Sequence, residues 1–147
     1  MTTAALLYGA NGFTGRAIAH QLAGTMDLVL GGRDEGRVRA VAEPLGLGWR
    51  VFDLADPGQV AAGLAGITAV LHAAGPFAQT ARPMVDACLA SGVHYLDLGG
   101  EWPVFAELMA CDPEARAAGV MLLPGTGLTV AATDCLMTRA VELWPDT

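Results

Sequence analysis

The stretch YGANGFTGRAIAHQL, residues 8–22, spaces Gly9, Gly12 and Gly15 three apart and then turns into a helix-like pattern. A glycine costs about 0.5–1 kcal/mol in a regular element, so three of them so close imply a use for bare backbone. Immediately before them lies a short apolar run, Ala4–Tyr8. Further runs follow at Asp27–Leu30, Trp49–Phe52, Ala69–Ala73, Val93–Leu98 and Val120–Leu123. Short, nearly continuous apolar segments suit strands buried on both faces, as in a parallel sheet. Gly24, Gly46, Gly66, Gly92 and Gly119 stand one to three residues ahead of the next strand, where a left-handed helix ending fits. Asp34, and Asp56 with Pro57 behind it, suit helix starts. The pattern predicts a single-domain α/β fold, a doubly wound, Rossmann-like parallel sheet of about six strands. A last helix is expected over Leu128–Leu143, ending before Trp144 and Pro145.

In that setting the glycines acquire a meaning. They follow a strand and open a helix whose apolar residues include Phe13, Ala17, Ile18 and Leu22. Gly-x-x-Gly-x-x-Gly at that place is a variant of the dinucleotide fingerprint. Gly9 allows the tight turn, Gly12 the close approach of a pyrophosphate, and Gly15 close packing of helix on strand. The helix start adds unpaired N–H groups for phosphates. Gly9, Asn11, Gly12, Phe13, Thr14 and Gly15 are therefore candidate cofactor-binding residues; the plain alternative is a structural glycine-rich turn.

The second strand bears on which nucleotide. It ends in Gly31, Gly32 and Arg33, with no acid for a ribose 2′-hydroxyl. The two glycines leave room for a 2′-phosphate, and Arg33 can fork onto it, with Arg37 one helical turn on. This favours NADP over NAD. The alternative makes Arg33 a loop cation and gives the ribose to Asp34, which fits better as a helix cap. Asp53, ending the third strand, suits either the adenine amino group or a turn. After the fourth strand AAGPFAQT, residues 73–80, is expected to pass the nicotinamide half with Ala74, Gly75 and Pro76. Phe77 is read as pocket wall or core.

Composition narrows the partners. The 147 residues are 53% hydrophobic and 16% charged, with net charge −7. The mean hydropathy is +0.44 and the pI about 4.7. An acidic chain of this kind argues against nucleic acid and anionic membranes. No apolar run reaches the ~18 residues of a membrane span, and the N-terminus lacks the basic region of a signal peptide. The cations are all arginine, and Arg16, Arg33, Arg37 and Arg39 fall in one early segment, as a solvated helix face or a phosphate site. Cys88, Cys111 and Cys135 are odd in number and far apart, which reads as reduced, core-filling cysteines of a cytoplasmic protein. No metal is expected, since histidines and cysteines never fall at ligand spacing. No P-loop is present, and a chain without lysine cannot carry the Tyr-x-x-x-Lys pair of a short-chain dehydrogenase.

Chemistry beyond hydride transfer is harder to assign, and the catalytic residues stay unknown at this level. His20 reads as mid-helix surface, His72 as a satisfied core histidine ahead of a catalytic one, and His94 as lying at the wrong end of the sheet. Tyr95, Asp97 and Glu101 run to the ligand-binding edge, with Asp97 read as a turn or cap before an acid. Met84, Trp102 and Phe105 read as core or interface.

GANGFTG, the GGR after strand two, AAGPF with PMVDAC, and HYLDLGGE together resemble the NADP-binding domain of the saccharopine dehydrogenase-like oxidoreductases, over nearly the whole chain. The resemblance implies the N-terminal nucleotide half of a two-domain reductase, in a family that includes trans-acting enoyl reductases. It implies a larger second domain for substrate and dimerisation, expected to be missing from these 147 residues. Where relatives show Gly-Phe-Asp and Pro-x-Asp, this chain has Gly127-Leu128-Thr129 and Ala132-Thr133-Asp134, so family roles there do not carry over. The expected function is NADP(H) binding for hydride transfer to an unidentified small substrate, with negligible turnover by this chain alone. The alternative is a non-catalytic NADP sensor or partner-binding module. Excess apolar residues on the last helix predict self-association, most simply a dimer.

Overall fold

Apolar runs of four or five residues can be covered on both sides only when helices flank the sheet, and the computed structural model, which describes residues 4–144, has that layering. Six strands, β1 (Ala5–Tyr8), β2 (Leu28–Gly32), β3 (Gly48–Val51), β4 (Ala69–His72), β5 (His94–Asp97) and β6 (Leu122–Leu123), form one parallel sheet. Their order is β3-β2-β1-β4-β5-β6. The helices among the described residues are α1 (Phe13–Leu22), α2 (Glu35–Leu45), α3 (Pro57–Leu64), α4 (Phe77–Ser91), α5 (Trp102–Ala110), α6 (Asp112–Ala118) and α7 (Leu128–Leu143). The strand order reverses between β1 and β4, which creates the switch-point crevice of a doubly wound sheet.

Local chemistry sets the helix ends. Asp34 caps α2 by accepting from the Arg37 N–H at 3.0 Å. Asp56 caps α3, accepting from the Gly58 and Gln59 N–H groups at 2.9 and 3.1 Å. Such a cap contributes about 0.5–2 kcal/mol. The five glycines ahead of strands all have φ between 65° and 76°. On one face of the sheet Leu6, Tyr8, Val70 and Tyr95 pack with residues of α3, α4 and α5; on the other Leu7, Leu28 and Leu30 meet α1 and α2.

The structure corrects several readings. β3 is an edge strand, so Trp49 and Val51 are exposed rather than buried on both faces. The inner side of α1 is Gly15, Ile18, Ala19 and Leu22, an i, i+3, i+4, i+7 stripe. Close packing of Gly15 sets that phase, which leaves Phe13 96% exposed and Ala17 exposed. Cys88 and Cys111 are buried, but Cys135 is exposed on α7. Met84 is core and Phe105 half-buried, whereas Trp102 is 72% exposed. Pro145, and Met1–Thr3 at the N-terminus, lie outside the described residues.

Candidate functional site: a dinucleotide cleft

Two of the three fingerprint glycines are required by packing and the third keeps space open. Gly9 has φ +89°, and a Cβ on it would stand 2.7 Å from the Ala73 carbonyl carbon and the Ala74 nitrogen. The β1–α1 turn is thus pressed against the β4–α4 loop. The N–H groups of Gly9 and Ala10 share the Gly31 carbonyl, and the Gly12 N–H closes the turn onto the Gly9 carbonyl at 3.0 Å. A Cβ on Gly15 would collide with the Gly9 carbonyl and reach 2.9 Å from the Ala10 Cα. On Gly12 it would meet only the Gly9 carbonyl oxygen, at 3.3 Å, and otherwise open space. The first helical hydrogen bond of α1 runs from the Arg16 N–H to the Gly12 carbonyl. The N–H groups of Phe13, Thr14 and Gly15 therefore have no partner within the helix.

From this turn a cleft of about 600 Å³ crosses the C-terminal edge of the sheet, within the usual range for small-molecule sites. Gly9, Asn11, Gly12, Arg33, Asp53, Ala74, Gly75 and Pro76 all line it. Phe13, Thr14 and Gly15 do not: the first two are exposed, Gly15 is buried against the turn, and what they present is the helix start. The sequence did not single out Tyr8, Leu54, Gln79 and Thr80, which also line the cleft. Tyr8 donates its hydroxyl to the Phe52 carbonyl at 2.9 Å. Burial, with Asp53 nearby adding and Arg33 opposing, pushes that hydroxyl up to about 12, so it stays protonated. Thr80 donates to the Ala74 and Pro76 carbonyls at 2.6 and 3.1 Å, pinning the loop that walls the cleft. Only a position one turn into α4, facing back on its own loop, could have signalled Thr80.

The charged groups divide clearly. Arg37 pairs with Asp34 at 3.4 Å, and Arg50 donates to the Gly63 and Ala65 carbonyls. Arg33 makes no ion pair or hydrogen bond among the described residues and stands exposed in the cleft. The glycines before it, read as room for a phosphate, also have packing roles, and Gly32 lines the cleft beside Arg33. A Cβ on Gly31 would press on Leu6 and Tyr8 at 3.1 Å, and one on Gly32 would reach 2.8 Å from Val38. Asp53 takes the turn role, accepting from the Ala55 N–H at 2.9 Å, while lining the cleft.

His20 is exposed, and His94 accepts from the Met121 N–H at 3.0 Å at the opposite end of the sheet. His72 is buried but not satisfied, because neither ring nitrogen has a partner among the described residues. Burial pushes its pKa down to about 4, so the ring is neutral at pH 7. Asp97 is fully buried and acts as a tie. Its carboxylate accepts from the Tyr95 hydroxyl at 2.8 Å and from the Gly99 and Gly125 N–H groups at 2.9 and 2.8 Å. It thereby joins the β5–α5 loop to the β6–α7 loop. Burial, then Asp97, raises the Tyr95 hydroxyl far above the ordinary phenol value. Glu101 is exposed and accepts from the Gly100 N–H. Among the described residues no cluster of three or more His, Cys, Asp or Glu could hold a metal ion, and no helix is long and apolar enough to cross a membrane.

The sequence profile described as saccharopine dehydrogenase NADP binding domain matches residues 5–123. The chain belongs to that family. Among its relatives, a trans-acting enoyl reductase of Mycobacterium leprae is 32% identical over 144 residues, 88% of this chain and 33% of that protein. A trans-acting enoyl reductase of Mycobacterium tuberculosis is 36% identical over 104 residues, 65% of this chain and 25% of that one. The chain spans about a quarter to a third of the length of these relatives. Among solved structures, apo saccharopine dehydrogenase (L-Glu forming) of Saccharomyces cerevisiae shares the fold with TM-score 0.81 at 20% identity, covering 95% of this chain and 31% of that one. The triphenylmethane reductase of Citrobacter sp., solved with NADP(H), follows at TM-score 0.66 and 18% identity, covering 82% of this chain and 48% of the other. The residues of this NADP-binding domain suit the cofactor. A side chain at Gly12 would enter the cleft, a helix start faces it, and Arg33 has its guanidinium uncommitted.

Proposed function

We propose that this NADP-binding domain holds the dinucleotide in the cleft and serves as the nucleotide half of an oxidoreductase. Gly9, Gly12 and the start of α1 (Phe13, Thr14, Gly15) cradle the pyrophosphate, with Asn11 beside it. Arg33 takes the 2′-phosphate, Asp53 and Leu54 border the adenine, and Ala74, Gly75 and Pro76 border the nicotinamide. Bound NADP(H) would supply or accept hydride; the chain binds and orients. The carrying observation is the uncommitted Arg33 in the same cleft as the glycine turn. The name of the relatives makes an enoyl group the favoured substrate. Among the cleft residues Tyr8 is a poor proton donor, since its hydroxyl is held by Phe52 and pushed up to about 12. The substrate wall and proton donor then belong to a further domain.

Cytoplasmic residence is part of this proposal, in keeping with the three free cysteines. So is association through the apolar residues of α7, all of them exposed or half-exposed. That unburied helix also favours the second reading, a non-catalytic NADP module that docks on a partner. Fluorescence titration tests the cofactor: NADPH is expected to bind at least about tenfold tighter than NADH, as a charge-assisted bond to one phosphate provides. Equal affinities would refute the role of Arg33. NADPH oxidation with an enoyl thioester by this chain alone would show that no further domain is needed.

A further inference from the structure

His72 is fully buried, and neither of its ring nitrogens has a hydrogen-bond partner among the described residues. Three rings enclose it: Tyr8 stacked at 5.7 Å, Phe77 edge-on at 5.6 Å and Tyr95 tilted at 6.0 Å. A neutral imidazole has one donor and one acceptor, and leaving both open in an apolar box destabilises the free domain. The hydroxyls of the two enclosing tyrosines donate elsewhere. The Tyr8 hydroxyl is bonded to the Phe52 carbonyl, and the Tyr95 hydroxyl to Asp97. A hydrogen-bonding residue retained at such a cost points to a partner that arrives with a ligand.

Position identifies the ligand. His72 ends β4 and directly precedes Ala73, Ala74, Gly75 and Pro76, the cleft wall at the switch point. Its cover is Phe77, the half-buried first residue of α4. Phe77 stands between two loops, since a Cβ on Gly75 would lie 3.9 Å from its ring and one on Gly99 3.4 Å. Neither His72 nor Phe77 lines the cleft itself, so a ligand reaches the imidazole only if the Phe77 ring turns aside. An uncharged ligand group is required, because burial holds the imidazole neutral and an ion there would lose its hydration. The part of the dinucleotide expected at this end is the nicotinamide; its ring is a cation in NADP+, but its carboxamide is uncharged in both redox states.

We propose that His72 is the floor of a closed subsite beneath Phe77 that takes the nicotinamide carboxamide, which gives one imidazole nitrogen the partner it lacks. This rests on the NADP(H) reading of the cleft. The ring nitrogens of His72, followed by 15N NMR of the histidine-labelled chain and assigned by their loss in His72→Phe, are the direct readout; His20 and His94 are internal controls. NADP+ and nicotinamide mononucleotide should shift the His72 nitrogens, while 2′,5′-ADP should bind and leave them unmoved. In His72→Phe, NADPH affinity should fall about three- to tenfold, the loss of one neutral hydrogen bond. Affinity for 2′,5′-ADP should be unchanged, and the unliganded domain should melt at a higher temperature. Saturating NADP+ with silent His72 nitrogens would overturn the subsite and leave the cofactor reading standing. Failure of NADP+ and 2′,5′-ADP to bind at all would overturn both. A lower melting temperature in His72→Phe with NADPH affinity intact would make the histidine a structural residue and also overturn the proposal.

Discussion

The β1–α1–β2 corner and the α7 helix stand at opposite extremes of the same domain. In the corner the backbone is tightly packed: Gly9 and Gly15 have no room for a Cβ, Gly31 and Gly32 have little, and the turn is sewn to β2 through the Gly31 carbonyl. In α7 no residue is buried, and Leu128, Leu136, Met137 and Val141 are 61–85% exposed. An isolated helix of 16 residues is marginal in water, since packing supplies most helix stability in proteins. The corner is built from backbone, which a short local sequence can organise alone. The helix leaves its apolar side chains exposed within the single chain.

The sharpest way to break this contrast is Gly12→Val. Its side chain would enter the cleft and meet little of the protein, so NADPH binding should be abolished while circular dichroism stays native. Gly15→Val should instead disrupt folding, because its Cβ has nowhere to go. Native circular dichroism with unchanged NADPH affinity in Gly12→Val would mean that the turn is not a phosphate cradle.

The next effect is one of pH. His72 has a folded pKa of about 4 against 6.5 for a free histidine, caused by burial. Below pH 6.5 the unfolded chain takes up a proton that the native state refuses until pH 4. The titration of this residue therefore costs no stability above pH 6.5, and stability falls away towards pH 4, by about 3 kcal/mol in total. Urea unfolding at pH 7 and pH 4.5 should show this slope in the wild type and lose it in His72→Phe. Identical slopes would indicate that the ring finds a proton acceptor in the native core.

Arg33→Ala should weaken NADPH by roughly 1.5–3 kcal/mol and NADH far less. Equal losses for both would move Arg33 from the 2′-phosphate to the pyrophosphate or to folding. The smallest effect belongs to α7. Glu at both Leu136 and Met137 should change the stability of the domain by no more than about 0.5 kcal/mol, as at ordinary surface positions. The same change should dissolve self-association in equilibrium sedimentation. A wild-type chain that is strictly monomeric at high micromolar concentration would remove the interface altogether.

How far each feature was legible follows from the range of the forces behind it. The cofactor loop could be read because a strand, three glycines and a helix occupy residues 5–22 and depend on one another locally. Arg33 could be read as a cation after β2, but its isolation could not, because that depends on Asp34 choosing Arg37. Tyr8 and Thr80 went unread in the cleft, since each hides in a pattern that looks wholly like core or helix surface. The exposure of Phe13 was not legible either, because hydrophobicity says that a residue seeks cover, not that cover exists at the first turn.

The sequence by itself determined the α/β class, the alternation of elements, the caps at Asp34 and Asp56 and the left-handed glycines, because each depends on residues within about a turn of one another. The tertiary structure alone decided that β3 is an edge, that Gly31 and Gly32 serve packing, that Asp97 is a tie and that His72 lacks a partner among the described residues. These depend on contacts across the fold, such as Tyr8 with Phe52 and Asp97 with Gly125, separated by 44 and 28 residues. Local periodicity cannot encode which distant carbonyl or amide will arrive beside a buried polar group, because that is settled only when the layers close on the sheet.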